Sequence, residues 1–170
     1  MSKKTRTLTL SALLVALSII SLYIASVWPT GRFGLVAFSS LFVAAAVIED
    51  GFAPGIYVYI ISSILGMLIV PNRAAPLLYI LFFGYYPIIK SLIERRGHII
   101  LQWVLKLLVF NVALTVLWLL LREIVFDFGE VLLAPTVLYL AGNVVFALFD
   151  YGYSKVIWFY IGRVSMFRRK

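Results

Sequence analysis

The groups with the most chemical potential in this chain are ionisable and amide side chains set inside long apolar runs. Lys106 and Asn111 interrupt the run from Ile99 to Leu121, and Asn143 and Asp150 interrupt the one that ends near Ile161. A charge in hydrocarbon is costly and rarely faces lipid, so each needs a partner. At 1.5 Å rise per residue, Lys106 sits roughly 10 Å inside one end of its helix. Asp150 sits at a comparable depth on a helix running the other way, so a Lys106–Asp150 ion pair is expected. Asn111 and Asn143 match in depth near mid-membrane and can hydrogen-bond across the same interface. The structural reading is favoured for Lys106 and Asp150, as polar contacts worth ~1 kcal/mol each that pin two helices. For Asn143, a structural role and ligand binding stay open.

A second group of polar and aromatic residues falls at the opposite ends of the runs. Trp28, Thr30, Gly31 and Arg32 follow the first run, Asn72 and Arg73 follow the third, Tyr79 lies about a turn into the fourth, and Trp118 is near the end of the fifth. Aromatic residues at this depth serve as interface anchors. Two arginines on a face otherwise poor in positive charge are less expected, and they fit a carboxylate or phosphate on a lipid or a small ligand. Catalytic patterns are missing. The one histidine, His98, stands among Lys90, Glu94, Arg95 and Arg96 around Gly97, a solvated charged loop. No glycine-rich segment ends in Gly-Lys-Ser/Thr, and no histidines or carboxylates have metal-ligand spacing on a helix. With no cysteine there are no disulfides or thiolate metal sites. Neither enzymatic activity nor a cofactor is expected.

The elements that must position these residues follow from composition. Of the 170 residues, 64% are hydrophobic and 13% charged, and the mean hydropathy is +1.06. Too few polar side chains exist to coat a soluble domain of this size. The hydrophobic pattern predicts an all-α integral membrane protein, a single domain over 1–170 with spans near 8–28, 33–48, 52–70, 74–93, 99–121 and 131–161. Pro29-Thr30-Gly31, Glu49-Asp50-Gly51 and Pro71-Asn72-Arg73 break the first runs. Pro87, after Phe82-Phe83-Gly84-Tyr85-Tyr86, should kink the fourth helix or free a carbonyl inward. Arg122 to Glu130 reads as a short interfacial helix. The opening run is too long for a signal peptide and has no small-x-small site before Trp28, so it reads as a retained helix.

The net charge of +8 resembles a nucleic-acid signal until it is mapped. Basic residues concentrate at both termini and in the Lys90–Arg96 loop, as membrane orientation and anionic headgroups require, and nucleic-acid binding is not expected. With an even number of spans and the N-terminus cytoplasmic, Lys3, Lys4, Arg6, Lys90, Arg95, Arg96 and the tail from Arg163 lie inside. Outside loops then hold only Arg32, Arg73 and Arg122. This predicts a multi-pass protein of the bacterial plasma membrane with both termini cytoplasmic.

Taken together, six hydrophobic helices, this length, and Ala12-Leu-Leu-Val-Ala16 behind a basic tail and before a Pro-Thr-Gly loop resemble the substrate-binding S component of energy-coupling factor (ECF) transporters. The resemblance covers most of the chain. It implies an S-component-like bundle whose Ala12–Ala16 strip packs against a transmembrane coupling subunit, with partner ATPases supplying energy. It also implies an outward-opening pocket for a vitamin-sized molecule, surrounded by Trp28, Thr30, Arg32, Asn72, Arg73, Tyr79, Asn111 and Asn143. No substrate signature is present. The alternative is a non-transporting assembly protein of the same fold, like the rod-shape component MreD. Transport predicts an enclosed cavity lined by Asn and Arg, whereas a scaffold predicts packed aromatics in its place.

Overall fold

A computed structural model describes residues 2–95, 97–125 and 135–168, all helix and short connections with no strand among them. The helices are α1 (Lys3–Val27), α2 (Arg32–Asp50), α3 (Phe52–Ile69), α4 (Ala74–Leu78), α5 (Tyr86–Ile93), α6 (Ile99–Val125) and α7 (Pro135–Arg168). A 3-10 turn, Pro29–Gly31, joins α1 to α2, and a π-helical turn, Tyr79–Phe83, follows α4. Six stretches are long and apolar enough to cross a bilayer: Lys4–Val27, Arg32–Asp50, Phe52–Ile69, Ala74–Ile93, Ile99–Leu119 and Thr136–Arg163. The chain is a multi-pass membrane protein. The surface hydrophobics of α6 and α7, such as Leu108, Val112, Leu148 and Trp158, are its lipid-facing skin.

Three boundaries differ from the sequence expectation. The first helix begins at Lys3, because the Ser2 hydroxyl accepts from Thr5 N at 3.3 Å and caps it within the basic tail. The interfacial helix expected over 122–130 is not separate at its start, since α6 continues to Val125. Residues 126–134, which include the expected start of the sixth span, lie outside the described residues. The fourth span is not one helix either. Gly84 N reaches back to Tyr79 O at 2.7 Å, a five-residue step that inserts one extra residue into the turn. Pro87 then sits in the first turn of α5, where a missing N–H costs least.

Small residues draw the first three helices together. Ser39, Ser40, Ala44 and Ala46 of α2 are buried, as are Ser62 and Gly66 of α3. A Cβ added at Gly66 would lie 3.3 Å from Leu22 Cδ1 and 3.8 Å from Pro76 Cβ, so α1, α3 and α4 meet closely there. Buried hydroxyls turn back on their own backbones, Ser18 to Leu14 O at 2.9 Å and Ser62 to Val58 O at 2.6 Å. Around them Leu22, Val36, Val43, Val58 and Leu78 form the main core. A second, aromatic core of Phe82, Tyr86 and Phe146 fastens the π turn and α5 to α6 and α7. In it, Phe110 and Phe146 stack with ring centres 4.6 Å apart and planes 12° from parallel.

Candidate functional site

The antiparallel helices α6 and α7 are held by a ladder of polar contacts, in which the step from Thr115 to Asn111 along one is matched by the step from Tyr139 to Asn143 along the other. Thr115 Oγ1 and Tyr139 OH lie 2.6 Å apart. One turn on, Asn111 Nδ2 donates to Asn143 Oδ1 at 2.9 Å and Asn143 Nδ2 donates to Asn111 Oδ1 at 3.1 Å. Each amide also donates to the carbonyl of its own preceding turn, Leu107 O or Tyr139 O, at 2.8 Å. Both side chains therefore spend their hydrogen bonds within the protein. Substituting Asn143 with leucine should cost about 1 kcal/mol by stranding Asn111, and the double variant N111L/N143L should recover it. Unfolding curves in detergent read the difference. A stable double variant that loses ligand would instead assign the pair to binding.

At the lower end of the ladder, Lys106 Nζ lies 2.8 Å from Asp150 Oδ2. The pair belongs to a larger cluster. Lys90 Nζ contacts Asp150 Oδ1 at 2.5 Å and donates to Ser154 Oγ at 2.8 Å, and Tyr86 OH donates to the same Asp150 oxygen at 2.5 Å. Glu94 Oε1 lies 2.6 Å from both lysines. Two cations thus face two carboxylates, with Lys90 and Asp150 each only 2% exposed and Glu94 reaching outward at 40%. Lys90 had been expected in a charged loop. Because α5 runs on to Ile93, Lys90 instead lies a turn inside the helix, facing α7. At the same end of the bundle Glu49 receives Arg6 at 3.6 Å and the Tyr160 hydroxyl at 3.2 Å, linking α1, α2 and α7. Among the described residues, no group of three or more histidines and carboxylates could hold a metal ion.

A cleft of about 470 Å³ lies between α2, α4 with its π turn, α6 and α7, lined by Phe33, Ala37, Phe82, Phe110, Ala141, Phe149 and further apolar residues. No polar side chain lines it among the described residues. The residues expected around a pocket are scattered instead. Trp28, Thr30, Asn72 and Arg73 are exposed on the connections, and Asn72 Oδ1 accepts from Ala74 N at 2.9 Å to start α4. Tyr79 is sealed in the main core, its hydroxyl 2.8 Å from Ser62 Oγ. Asn111 and Asn143 face each other. Arg32 does not line the cleft either, although its neighbour Phe33 does, and its Nε is buried with no hydrogen-bond partner. The cavity is thus real in volume but lined by aromatic and aliphatic carbon, in place of the Asn and Arg that a polar substrate would require.

Ala12 and Ala16 are both exposed, while Leu14, Val15 and Ser18 between and beside them are buried. The alanine strip therefore lies on the face of α1 turned away from the chain's own bundle. No protein-family model, curated protein or solved structure matches the chain.

Proposed function

We propose that this protein is the ligand-capturing membrane subunit of an ECF-type uptake system in a bacterial plasma membrane. Its basic ends are cytoplasmic, its cleft opens toward the outer leaflet, and it docks on a coupling subunit through α1. The observation that carries this reading is the cleft. At about 470 Å³ it falls within the ~300–1,000 Å³ range of small-molecule sites, and it lies between helices of a bundle, where such sites recur. The free alanine strip supplies the second requirement, since small residues let a partner's helix approach closely in lipid. In this arrangement the chain supplies specificity and a separate ATPase pair supplies energy. A membrane assembly protein of the same fold is the second reading, favoured by the lack of polar groups in the cleft.

The substitutions Ala12→Leu and Ala16→Leu test the docking half. In a tagged full-length chain expressed in its host, the double variant should lose co-purifying membrane and ATPase subunits while still folding. Unchanged co-purification would sink docking through α1. An ATPase pair recovered with the wild type favours transport; envelope-assembly proteins in its place favour the scaffold.

A further inference from the structure

Another cavity, of about 260 Å³, lies at the basic end of the bundle between α2, α5 and α7. Its polar wall comes from α5: Lys90, Ser91, Glu94 and Arg95 line it, with Pro87 a turn deeper. Steps of three and four residues put these side chains on one stripe of the helix. Val47 and Ile48 of α2 and Ile157 and Ile161 of α7 close the other two sides with hydrocarbon. From Pro87 to Glu94 the groove is about 10 Å deep at helical rise. Its polar rim lies where α5 and α2 end, at Ile93 and Asp50, the level of the membrane interface.

The charges on this rim do not cancel. Lys90 and Lys106 are answered one for one by Asp150 and Glu94. Arg95 is left over. It is exposed and has no carboxylate partner among the described residues. Its guanidinium stands 4.4 Å from the centre of the Phe52 ring, a contact that brings no negative charge to it. Glu94 does not bar an anion, because both lysines hold its carboxylate at 2.6 Å. A groove with hydrocarbon on two sides and an uncompensated guanidinium at its interfacial rim is complementary to the head of an anionic amphiphile.

We infer that this groove holds the phosphodiester head of an anionic phospholipid. The phosphate meets Arg95, and the glycerol and first acyl carbons lie against Val47, Ile157 and Ile161. Basic pockets between membrane helices hold anionic headgroups in this way. The volume is below the ~300–1,000 Å³ of sites that enclose a whole small molecule, so the groove takes a head and not an entire ligand. It shares no lining residue with the apolar cleft and does not involve α1, so lipid binding is tested apart from uptake and docking.

The test uses the full-length protein, delipidated in detergent, with binding read by native mass spectrometry for phosphatidylglycerol and phosphatidylcholine of identical chains. The first phosphatidylglycerol should bind about fivefold more tightly than the first phosphatidylcholine, the preference one interfacial arginine supplies. Arg95→Gln should remove that preference. Arg163→Gln, which changes an exposed arginine at the same end but outside the groove, should leave it intact. Ile157→Trp, which fills the groove, should also remove it; where I157W fails to fold, the two arginine variants decide. Glycerol 3-phosphate, the same phosphate without acyl chains, should not compete. Equal binding of the two lipids, or a wild-type preference in R95Q, would overturn the assignment. So would an equal loss in R163Q, the mark of diffuse surface attraction, or competition by glycerol 3-phosphate, the mark of a site for soluble phosphate esters.

Discussion

Replacing Asp150 with alanine should destabilise this protein by about 3–5 kcal/mol, enough to prevent its recovery in folded form. The carboxylate takes both lysines, Lys90 on one oxygen and Lys106 on the other, and also accepts from Tyr86. Without it, Lys90 remains buried at 2% exposure with only Glu94 and Ser154 to answer its charge. The cost comes chiefly from the stranded cations, so removing them should restore the fold. The triple variant K90M/K106M/D150L swaps the buried ions for apolar side chains of similar length and should recover most of that loss, short of the ~1–3 kcal/mol of the Tyr86 hydroxyl left without its acceptor. Detergent melting curves of the single and triple variants, set beside ligand and partner binding by the triple, separate two roles. A stable and active triple variant leaves the cluster purely structural; a stable but inactive one gives it a part in function.

Gly84→Ala should be damaging for a change of a single methyl group, costing about 1–3 kcal/mol through overpacking. An added Cβ would stand 2.7 and 2.8 Å from Tyr59 ring carbons and 2.8 Å from Tyr79 Cε1. Neither ring can swing away cheaply. Tyr59 OH donates to Ile80 O at 2.9 Å and Tyr79 OH is held to Ser62 Oγ at 2.8 Å. Gly152→Ala on α7, where nothing lies within 4 Å, is the matched control and should be neutral or slightly stabilising. Equal melting temperatures for the two variants would show that the rings around Gly84 yield.

How far these features were legible in the sequence depended on whether they were local. Span length and apolarity are properties of contiguous residues, and the six crossing helices follow from them directly. The depth match of Lys106 with Asp150 and of Asn111 with Asn143 was also accessible, because two antiparallel helices joined by one connection leave little freedom in register. Lys90 was missed because it adjoins Glu94, Arg95 and His98 and so reads as loop. The available signal was the four-residue spacing of Tyr86, Lys90 and Glu94, which puts all three on one helical face. The cleft left no such trace. Its wall draws residues from four separate segments, and an apolar residue facing a void has the same sequence signature as one facing lipid or core. Expecting Tyr79 in a pocket failed to register with its place in the chain's own packing, which only the approach of α3 decides.

The extra residue in the Tyr79–Phe83 turn has an angular consequence. In an α-helix each residue advances the side chains by about 100°, so the inserted one rotates everything after it by that angle relative to α4. The turn thereby sets the phase of α5, aiming Tyr86 and Lys90 at Asp150 while Leu78 and Tyr79 before it still face the main core. A straight helix through the same sequence would carry one of these two faces into lipid: with α4 packed as it is, the Lys90 ammonium would turn toward hydrocarbon. The span thus works as two half-helices keyed to different neighbours, and the wide turn between them is the offset that lets one segment serve both.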